Sequence, residues 1–171
     1  GMNAQLLLKG RLGKKELTAF DNVRGIDWIK EPVRLERIIK DSRLVIVDSY
    51  LAPRSVYEMI SEAAANAVFM DDNKRLAYPK GTVVNGSVYA DSLRYPKRRG
   101  VCYLLGPEFV PLRRDFRRPA KKRIRKAISS IMMTFGGFDG KHVTPLALKA
   151  LKKEGAGWKK RVIIGKGFRN V

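Results

Sequence analysis

The sequence predicts an α/β fold in which buried parallel strands alternate with helices. Four short apolar runs support this prediction, because none of them alternates with polar residues and helical patterns lie between them. Continuous apolar runs are typical of parallel strands that helices cover on both faces of the sheet. The runs are LVIV (44–47), AVFM (67–70), IMM (131–133) and VII (162–164).

Three helices are predicted between these runs. The first begins at Pro32, since proline suits the first helical turn, and an apolar stripe follows it. The second begins at Ser55, which can form a capping box with Glu58. The third has Thr144 as its N-cap and Pro145 in its first turn. Strand–helix–strand therefore occurs twice, and both units are expected to be right-handed.

A basic segment separates the two strand–helix–strand units. Residues 94–126 contain 13 Lys and Arg and only two acidic residues, and turn signals precede them in 78–86. We interpret 117–128 as a basic linker that runs into a helix, and place a domain boundary there. The remaining 129–171 contains a single strand–helix–strand unit, and core burial is marginal at that size. We expect an incomplete domain that packs on the first one, on a second copy or on residues outside this chain.

Composition restricts the partner to something anionic. The 171 residues contain 36 Lys and Arg against 16 Asp and Glu, a formal charge of +20. Nucleic acid, a membrane surface and a phosphorylated small molecule are all compatible with that charge. The single cysteine, Cys102, excludes an intrachain disulfide and fits a cytoplasmic protein. The single histidine, His142, argues against a histidine-built metal site, and no apolar run is long enough to span a membrane.

The segment MTFGGFDGKHVTP (133–145) is the clearest candidate for an anion site. It follows a predicted strand and opens a helix, and the free N–H groups at a helix start favour an anion. Gly136 and Gly137 would allow a phosphate to approach the backbone closely. It matches neither a Walker A motif nor a G-x-G-x-x-G fingerprint, so an ordinary tight turn remains the alternative.

Acidic residues follow two of the predicted strands. Asp48, Ser49 and Tyr50 end one strand, and Asp71 and Asp72 end the next. Ligands of open α/β sheets gather outside the carboxyl ends of the strands, which makes these residues a second candidate site. The alternative is that they only cap strands and begin turns. No third metal ligand is placed near them, so the pattern argues against a metal.

Five motifs, occurring in order over most of residues 26–171, resemble the spore-coat polysaccharide biosynthesis family that includes the UDP-sugar hydrolase of pseudaminic acid synthesis. The order of the five is far more specific than any one of them. The matching segments are IDWI…EPVRLERIIKDSRLVIVDSYLA (26–52), VFMDD (68–72) with VVNGS (83–87), YLLGPEFVPLRRDF (103–116), MTFGGFDGKHVT (133–144) and RVIIGKGFRNV (161–171).

The resemblance implies a GT-B-type architecture with two Rossmann-like domains and parallel sheets. Residues 1–116 would be the second half of the N-terminal domain, which holds the acceptor or attacking group. Residues 129–171 would begin the C-terminal domain, which holds the nucleotide diphosphate. In the family's hydrolase, water displaces UDP from an acetamido sugar without a metal or cofactor.

The resemblance also implies roles for six residues. Tyr50 matches a tyrosine near the reacting sugar and is the predicted catalytic residue. Five further positions would bind the nucleotide sugar: Asn85, Gly136, Gly137, Asp139 and Thr144.

The family's N-terminal GxGH loop, which carries its catalytic histidine, has no counterpart in this sequence. The later part of the nucleotide domain has none either. We therefore expect a partial chain that lacks both ends and is inactive as a hydrolase.

Two interpretations of function stay open. The first is a UDP-sugar hydrolase or glycosyltransferase-like protein of cell-surface or spore-coat polysaccharide biosynthesis, with possible self-association or segment exchange. The alternative is a basic, non-catalytic α/β protein that binds nucleic acid or acidic polysaccharide through 94–126. That segment lacks zinc-finger spacing, an RRM signature and a KH loop, which argues against nucleic acid.

Overall fold

A computed structural model describes residues 3–10, 13, 22–116, 124, 126–154, 157–165, 167 and 168. The chain divides into two compact units, Gly1–Arg117 (unit 1) and Arg118–Val171 (unit 2). Every strand pair within the described ranges is parallel, so the predicted α/β class is confirmed. No helix in those ranges is long and apolar enough to cross a membrane.

Unit 1 contains a parallel strand pair, β1–β2, and a four-stranded parallel sheet in which β3, β4, β5 and β6 follow chain order. The elements are β1 (Leu6–Lys9), β2 (Val23–Ile26), α1 (Pro32–Ile39), β3 (Val45–Asp48), α2 (Arg54–Ala63), β4 (Ala67–Met70), β5 (Gly81–Asn85) and β6 (Val101–Leu105). Short 3-10 turns at Ala90–Leu93, Pro107–Phe109 and Arg114–Phe116 belong to the connections near β6.

An aromatic cluster forms the centre of the unit 1 core. Tyr57 of α2 meets Phe69 of β4 and Tyr78 edge to face, with ring centroids 5.2 and 5.4 Å apart. Phe69 and Tyr78 stack at 5.6 Å. Side chains from α1 and from β5 are buried around these rings, so the cluster joins the helices to the sheet.

The sheet of unit 1 differs from the prediction in its extent and its cover. No strand was predicted between the two strand–helix–strand units, but residues 82–84 and 101–105 lie in β5 and β6 of the same sheet. The prediction that helices cover both faces of the sheet is wrong at β3, where Val47 is buried but Ile46 is 61% exposed. The apolar runs identify strands correctly, but they do not report how many faces a helix covers.

The predicted capping box of the second helix is wrong. The helix begins at Arg54, one residue before Ser55, and its N-cap is Pro53, which makes no side-chain cap. Glu58 instead accepts a hydrogen bond from Arg54 at 2.7 Å. Proline at the N-cap fixes an extended backbone there and moves the start of the helix.

Unit 2 consists of β7 (Ser130–Thr134), α3 (Val143–Glu154) and β8 (Lys159–Ile163), with β7 and β8 paired in parallel. Met133 of β7 is 7% exposed, whereas its neighbour Met132 is 64% exposed. The prediction that both faces of these strands are buried is therefore also wrong in unit 2. Residues 117–123 and 125 of the predicted linker lie outside the described residues.

Candidate functional site

A cleft of about 340 Å³ lies at the carboxyl edge of the unit 1 sheet. It is formed where β3, β4 and β5 end and where the chain returns after β6. Its volume is at the lower end of the range of about 300–1,000 Å³ that is typical of small-molecule sites. Twelve residues line it: Asp48, Ser49, Tyr50, Met70, Asp71, Asp72, Arg75, Val84, Gly86, Ser87, Val110 and Pro111.

Glycine at position 86 allows one wall of the cleft to form. A Cβ added to Gly86 would lie 2.7 Å from Cα of Val110, which is closer than real side chains come. The backbone of 110–111 can therefore pass directly beside the end of β5. Any larger residue at 86 would push this wall outward.

Tyr50 lies on the rim of the cleft and is 60% exposed. Its hydroxyl donates a hydrogen bond to a carboxylate oxygen of Asp72. This bond and the negative charge of Asp72 raise the pKa of Tyr50 to about 12. At neutral pH the hydroxyl is protonated, so it serves as a hydrogen-bond donor and not as a base.

Asp71 is the buried carboxylate of the site, at 6% exposure. One of its oxygens accepts a hydrogen bond from the Tyr95 hydroxyl at 2.6 Å, and the other accepts the backbone N–H groups of Asn73 and Arg75, each at 3.3 Å. Short O–H to carboxylate bonds are among the stronger hydrogen bonds in proteins. Asp71 thereby fixes the turn that brings Asp72 and Arg75 to the cleft.

Asn85 is fully buried behind the cleft. Its amide nitrogen donates to the Tyr95 hydroxyl at 3.1 Å, and its amide oxygen accepts the N–H of Ser87 at 2.9 Å. Burial, followed by the bond to Asp71, raises the pKa of Tyr95. Asn85 therefore shapes the turn after β5, and in this structure its side chain does not line the cleft.

Arg75 is the cationic side chain of the cleft lining. Its guanidinium donates to the carbonyl of Ala52 and to the hydroxyl of Tyr57, each at 3.0 Å. Tyr57 in turn donates to the carbonyl of Ser49 at 2.9 Å, and burial raises the pKa of this phenol. The end of β3 is thus tied to α2 and to the turn after β4.

The sign of the charge in the cleft is opposite to that of the chain. Three aspartates and one arginine line it, a formal charge of −2. A phosphate group would meet net repulsion there, whereas neutral hydroxyl and amide groups would find both acceptors and donors. The cleft is therefore suited to a polar, uncharged ligand.

The glycine loop of unit 2 is the second candidate site. Gly136 has a φ of 85°, a left-handed conformation that favours glycine, and directs the chain away from β7. A Cβ added to Gly137 would meet no atom within 4 Å, so that side of the loop is open. On another side, a Cβ on Gly165 would lie 2.5 Å from the Gly137 backbone, and Gly167 donates its N–H to the Gly137 carbonyl at 2.9 Å.

The start of α3 differs from the prediction. The helix begins at Val143, so Thr144 is not its N-cap but lies in its first turn and is 6% exposed. Both carboxylate oxygens of Asp139 accept N–H groups there, from Val143 and from Thr144, each at 2.8 Å. The donors that were expected to receive a phosphate are therefore occupied by a side chain of the loop itself.

Sequence analysis identified four of the important residues by position but missed three others. It placed Asp48, Tyr50, Asp71 and Asp72 at the carboxyl edge of the sheet, and the structure brings all four to one cleft. It did not single out Tyr57, Arg75 or Tyr95. Arg75 follows Asp72 in the same turn after β4, whereas Tyr57 and Tyr95 come from α2 and from the segment before β6 and reach the site only through tertiary packing.

Within the ranges that the structure describes, no group of three or more His, Cys, Asp or Glu is placed to hold a metal ion. Comparison of the chain with family models, curated proteins and solved structures found no match.

Proposed function

We propose that the chain is part of a nucleotide-sugar protein of cell-surface polysaccharide biosynthesis, a UDP-sugar hydrolase or a glycosyltransferase-like enzyme. In this proposal the two units correspond to the two domains of a GT-B-type fold in the cytoplasm, and neither a metal nor a cofactor takes part. The observation that carries the proposal is the cleft of unit 1, because it contains Tyr50, which the resemblance matches to a tyrosine near the reacting sugar, hydrogen-bonded to Asp72.

The unit 1 cleft is proposed to take the sugar. Its aspartates would accept hydrogen bonds from sugar hydroxyls, and its net negative charge would keep the diphosphate outside. Tyr50 would contact the sugar as a protonated donor, in agreement with its raised pKa. Asn85 and Asp71 would act indirectly, because both are buried and hydrogen-bonded to Tyr95.

The glycine loop of unit 2 is proposed to take the diphosphate on the open side of Gly137. The first N–H groups of α3 are occupied by Asp139, so the phosphate would bind to the loop backbone before the helix. Asp139 and Thr144 would then hold the shape of the loop. A side chain at 137 would fill the space that the phosphate needs.

Binding tests this proposal more directly than turnover does, because the family's histidine loop has no counterpart in the chain. Resonances of the 171-residue protein would be followed by NMR during titration with UDP-N-acetylglucosamine, UDP and N-acetylglucosamine. UDP is expected to shift resonances of 135–145, and N-acetylglucosamine those of Tyr50 and Asp72. Gly137→Val should abolish the first set of shifts and leave the second.

A matched tyrosine variant controls for the sugar site. Tyr50→Phe should weaken the response to N-acetylglucosamine, whereas Tyr89→Phe, at another exposed tyrosine, should not. If neither UDP nor the sugar shifts these resonances, the proposal is wrong. Salt-sensitive binding of an oligonucleotide in the same samples would then favour the nucleic-acid alternative.

A further inference from the structure

One face of the unit 2 sheet is exposed along its whole length. Side chains alternate along a strand, and partners in a parallel register point to the same face. The register pairs Ser130 with Lys159, Met132 with Arg161 and Thr134 with Ile163. All six residues are exposed, and we call them the open face.

The opposite face of the same strands is more covered. Met133 is 7% exposed there, and Ile131 and Val162 are partly buried. The open face combines two cations with two large aliphatic side chains, since Met132 is 64% and Ile163 51% exposed. A two-stranded sheet alone is only marginally stable in water, so the large aliphatic side chains exposed on this face indicate a surface that a partner can cover.

Charge identifies the kind of occupant. Unit 2 contains 15 Lys and Arg against 2 Asp and Glu, a formal +13, whereas unit 1 contains 21 against 14, a formal +7. The two acidic residues of unit 2 are Asp139 and Glu154, and neither belongs to β7 or β8. The carboxylate of Asp139 is hydrogen-bonded at the start of α3. The occupant should therefore be anionic.

The aliphatic side chains distinguish between anionic partners. Single-stranded nucleic acid binds to sheets through aromatic residues on which bases stack, and the open face contains no aromatic residue. A second copy of unit 2 would place two +13 surfaces together, against electrostatic repulsion. An interface of cations and aliphatic groups is typical of proteins that lie on anionic membranes.

We propose that the open face of unit 2 binds the surface of an anionic phospholipid bilayer. Lys159 and Arg161 lie against lipid phosphates, and Met132 and Ile163 enter the boundary between headgroups and acyl chains. This inference uses none of the residues proposed to bind the nucleotide sugar, so its test and the ligand titrations can fail separately.

The first test uses the unaltered chain and vesicles, with bound protein measured by sedimentation. Vesicles of phosphatidylcholine alone are compared with vesicles that contain one quarter phosphatidylglycerol. We expect binding only to the anionic vesicles and a steep loss of binding as salt rises, because the attraction is screened. Equal binding to both kinds of vesicle, or none to either, would overturn the proposal.

Variants then locate the surface. Lys159→Glu with Arg161→Glu should weaken partitioning roughly 30-fold or more, since two cations near an anionic membrane surface together contribute about one and a half decades of affinity. The control is Lys97→Glu with Arg99→Glu, which makes the same charge change on exposed residues of unit 1 and should weaken partitioning much less. An equal loss in both variants would show that net charge alone drives binding, and would reject the open face.

The aliphatic contribution is tested separately. Met132→Ser with Ile163→Ser leaves the charge unchanged and should reduce binding severalfold while its salt dependence persists. Far-ultraviolet circular dichroism of each variant checks that it is folded. Formation of a dimer through this face in sedimentation velocity would contradict the proposal.

Discussion

The two units are built on the same strand–helix–strand pattern, but they bury very different amounts of apolar surface. Sixteen apolar side chains are buried among the described residues, and all but one, Met133, belong to unit 1. The difference comes from the helices that cover the sheet. In unit 1, side chains of α1 and α2 are buried with strand residues in the cluster that contains Tyr57, Phe69 and Tyr78. Unit 2 has one described helix and an open sheet face. A repeated pattern in sequence therefore does not imply equal stability.

The sharpest test of this contrast is removal of the central aromatic ring. Phe69→Ala deletes a side chain that is fully buried between Tyr57 and Tyr78, and should destabilise unit 1 by about 3–5 kcal/mol. Met132→Ala in unit 2 should change stability by less than about 0.5 kcal/mol, because the side chain is already 64% exposed. Urea unfolding that is monitored by the hydrogen exchange of individual amides assigns each change in stability to its unit.

A loss below about 1 kcal/mol for Phe69→Ala would show that the aromatic cluster is not the core of unit 1. A large loss for Met132→Ala would show that the open face is covered in solution. Either result would remove the contrast between the units.

The second prediction concerns the polar network behind the cleft. Tyr95→Phe removes the hydroxyl that donates to Asp71 and accepts from Asn85, and leaves two buried groups without that partner. Unsatisfied buried groups cost about 1–3 kcal/mol, so unit 1 should lose stability by that amount. Tyr103→Phe is the matched control, since its ring packs on Tyr95 with centroids 5.2 Å apart.

Tyr103→Phe should cost less than half as much as Tyr95→Phe in the same urea experiment. Equal costs would mean that ring packing, and not the Asp71 network, determines stability at this point. The variant also links stability to the site, since a relaxed turn at Asp71 would displace Asp72 and Arg75 from the cleft.

Sequence patterns predicted the positions of the strands better than the burial of the strand faces. The runs at 67–70 and 131–133 are strands because continuous apolar residues suit a parallel sheet, and Asp48 and Asp71 fell at its carboxyl edge for the same reason. Exposure of Ile46 was not predictable, because a run of apolar residues has no polar position to mark the uncovered face.

The turns were predicted less well, since their hydrogen bonds depend on residues that pattern analysis treats separately. Thr144 has the right chemistry for an N-cap, but Asp139, with two acceptor oxygens, takes the N–H groups instead. Tyr95 reaches Asp71 from 24 residues away along the chain. Contacts of that kind are determined by tertiary packing and not by local sequence.

The third prediction concerns the start of α3, where unit 2 relies on hydrogen bonds more than on a core. Asp139→Ala should accelerate amide exchange at Val143 and Thr144 about fivefold, a typical effect of losing a capping side chain. Asp139→Asn keeps one acceptor oxygen and should have a smaller effect. Unchanged exchange in Asp139→Ala would show that the cap does not stabilise the helix.

The same cap should depend on pH. Burial raises the pKa of Asp139, but the hydrogen bonds from Thr144 and Val143 outweigh it and the net shift is downward. A lowered pKa in the folded state means that the contribution is present above the ordinary value of 3.8 and is lost as pH falls through the lowered value. Exchange at these amides, corrected for its intrinsic pH dependence, should therefore increase only below about pH 4. In Asp139→Asn this increase should be absent.

The smallest expected effect on stability, and the most local one, is the titration of Tyr50. In the folded protein its pKa is raised to about 12 from the ordinary tyrosine value of 10.0, because it donates to Asp72 and faces that negative charge. A raised tyrosine pKa stabilises the fold below pH 10, and this contribution is lost as pH rises through about 12. Since the side chain is 60% exposed, solvent screening makes the contribution of this pKa shift to the free energy of unfolding small. The pKa itself is therefore the quantity to measure.

Labelled tyrosine observed by NMR gives this pKa directly, and Tyr50→Phe assigns the resonance. Asp72→Asn should return the pKa most of the way toward 10, because it removes both the hydrogen-bonded carboxylate and its charge. Asp48→Asn is the matched control, because Asp48 acts on Tyr50 only through charge and ranks below Asp72 among the causes of the shift. If the two variants lower the pKa equally, the general negative charge of the cleft raises it. The Tyr50–Asp72 pair would then not be the specific donor–acceptor unit that the sugar-binding proposal requires.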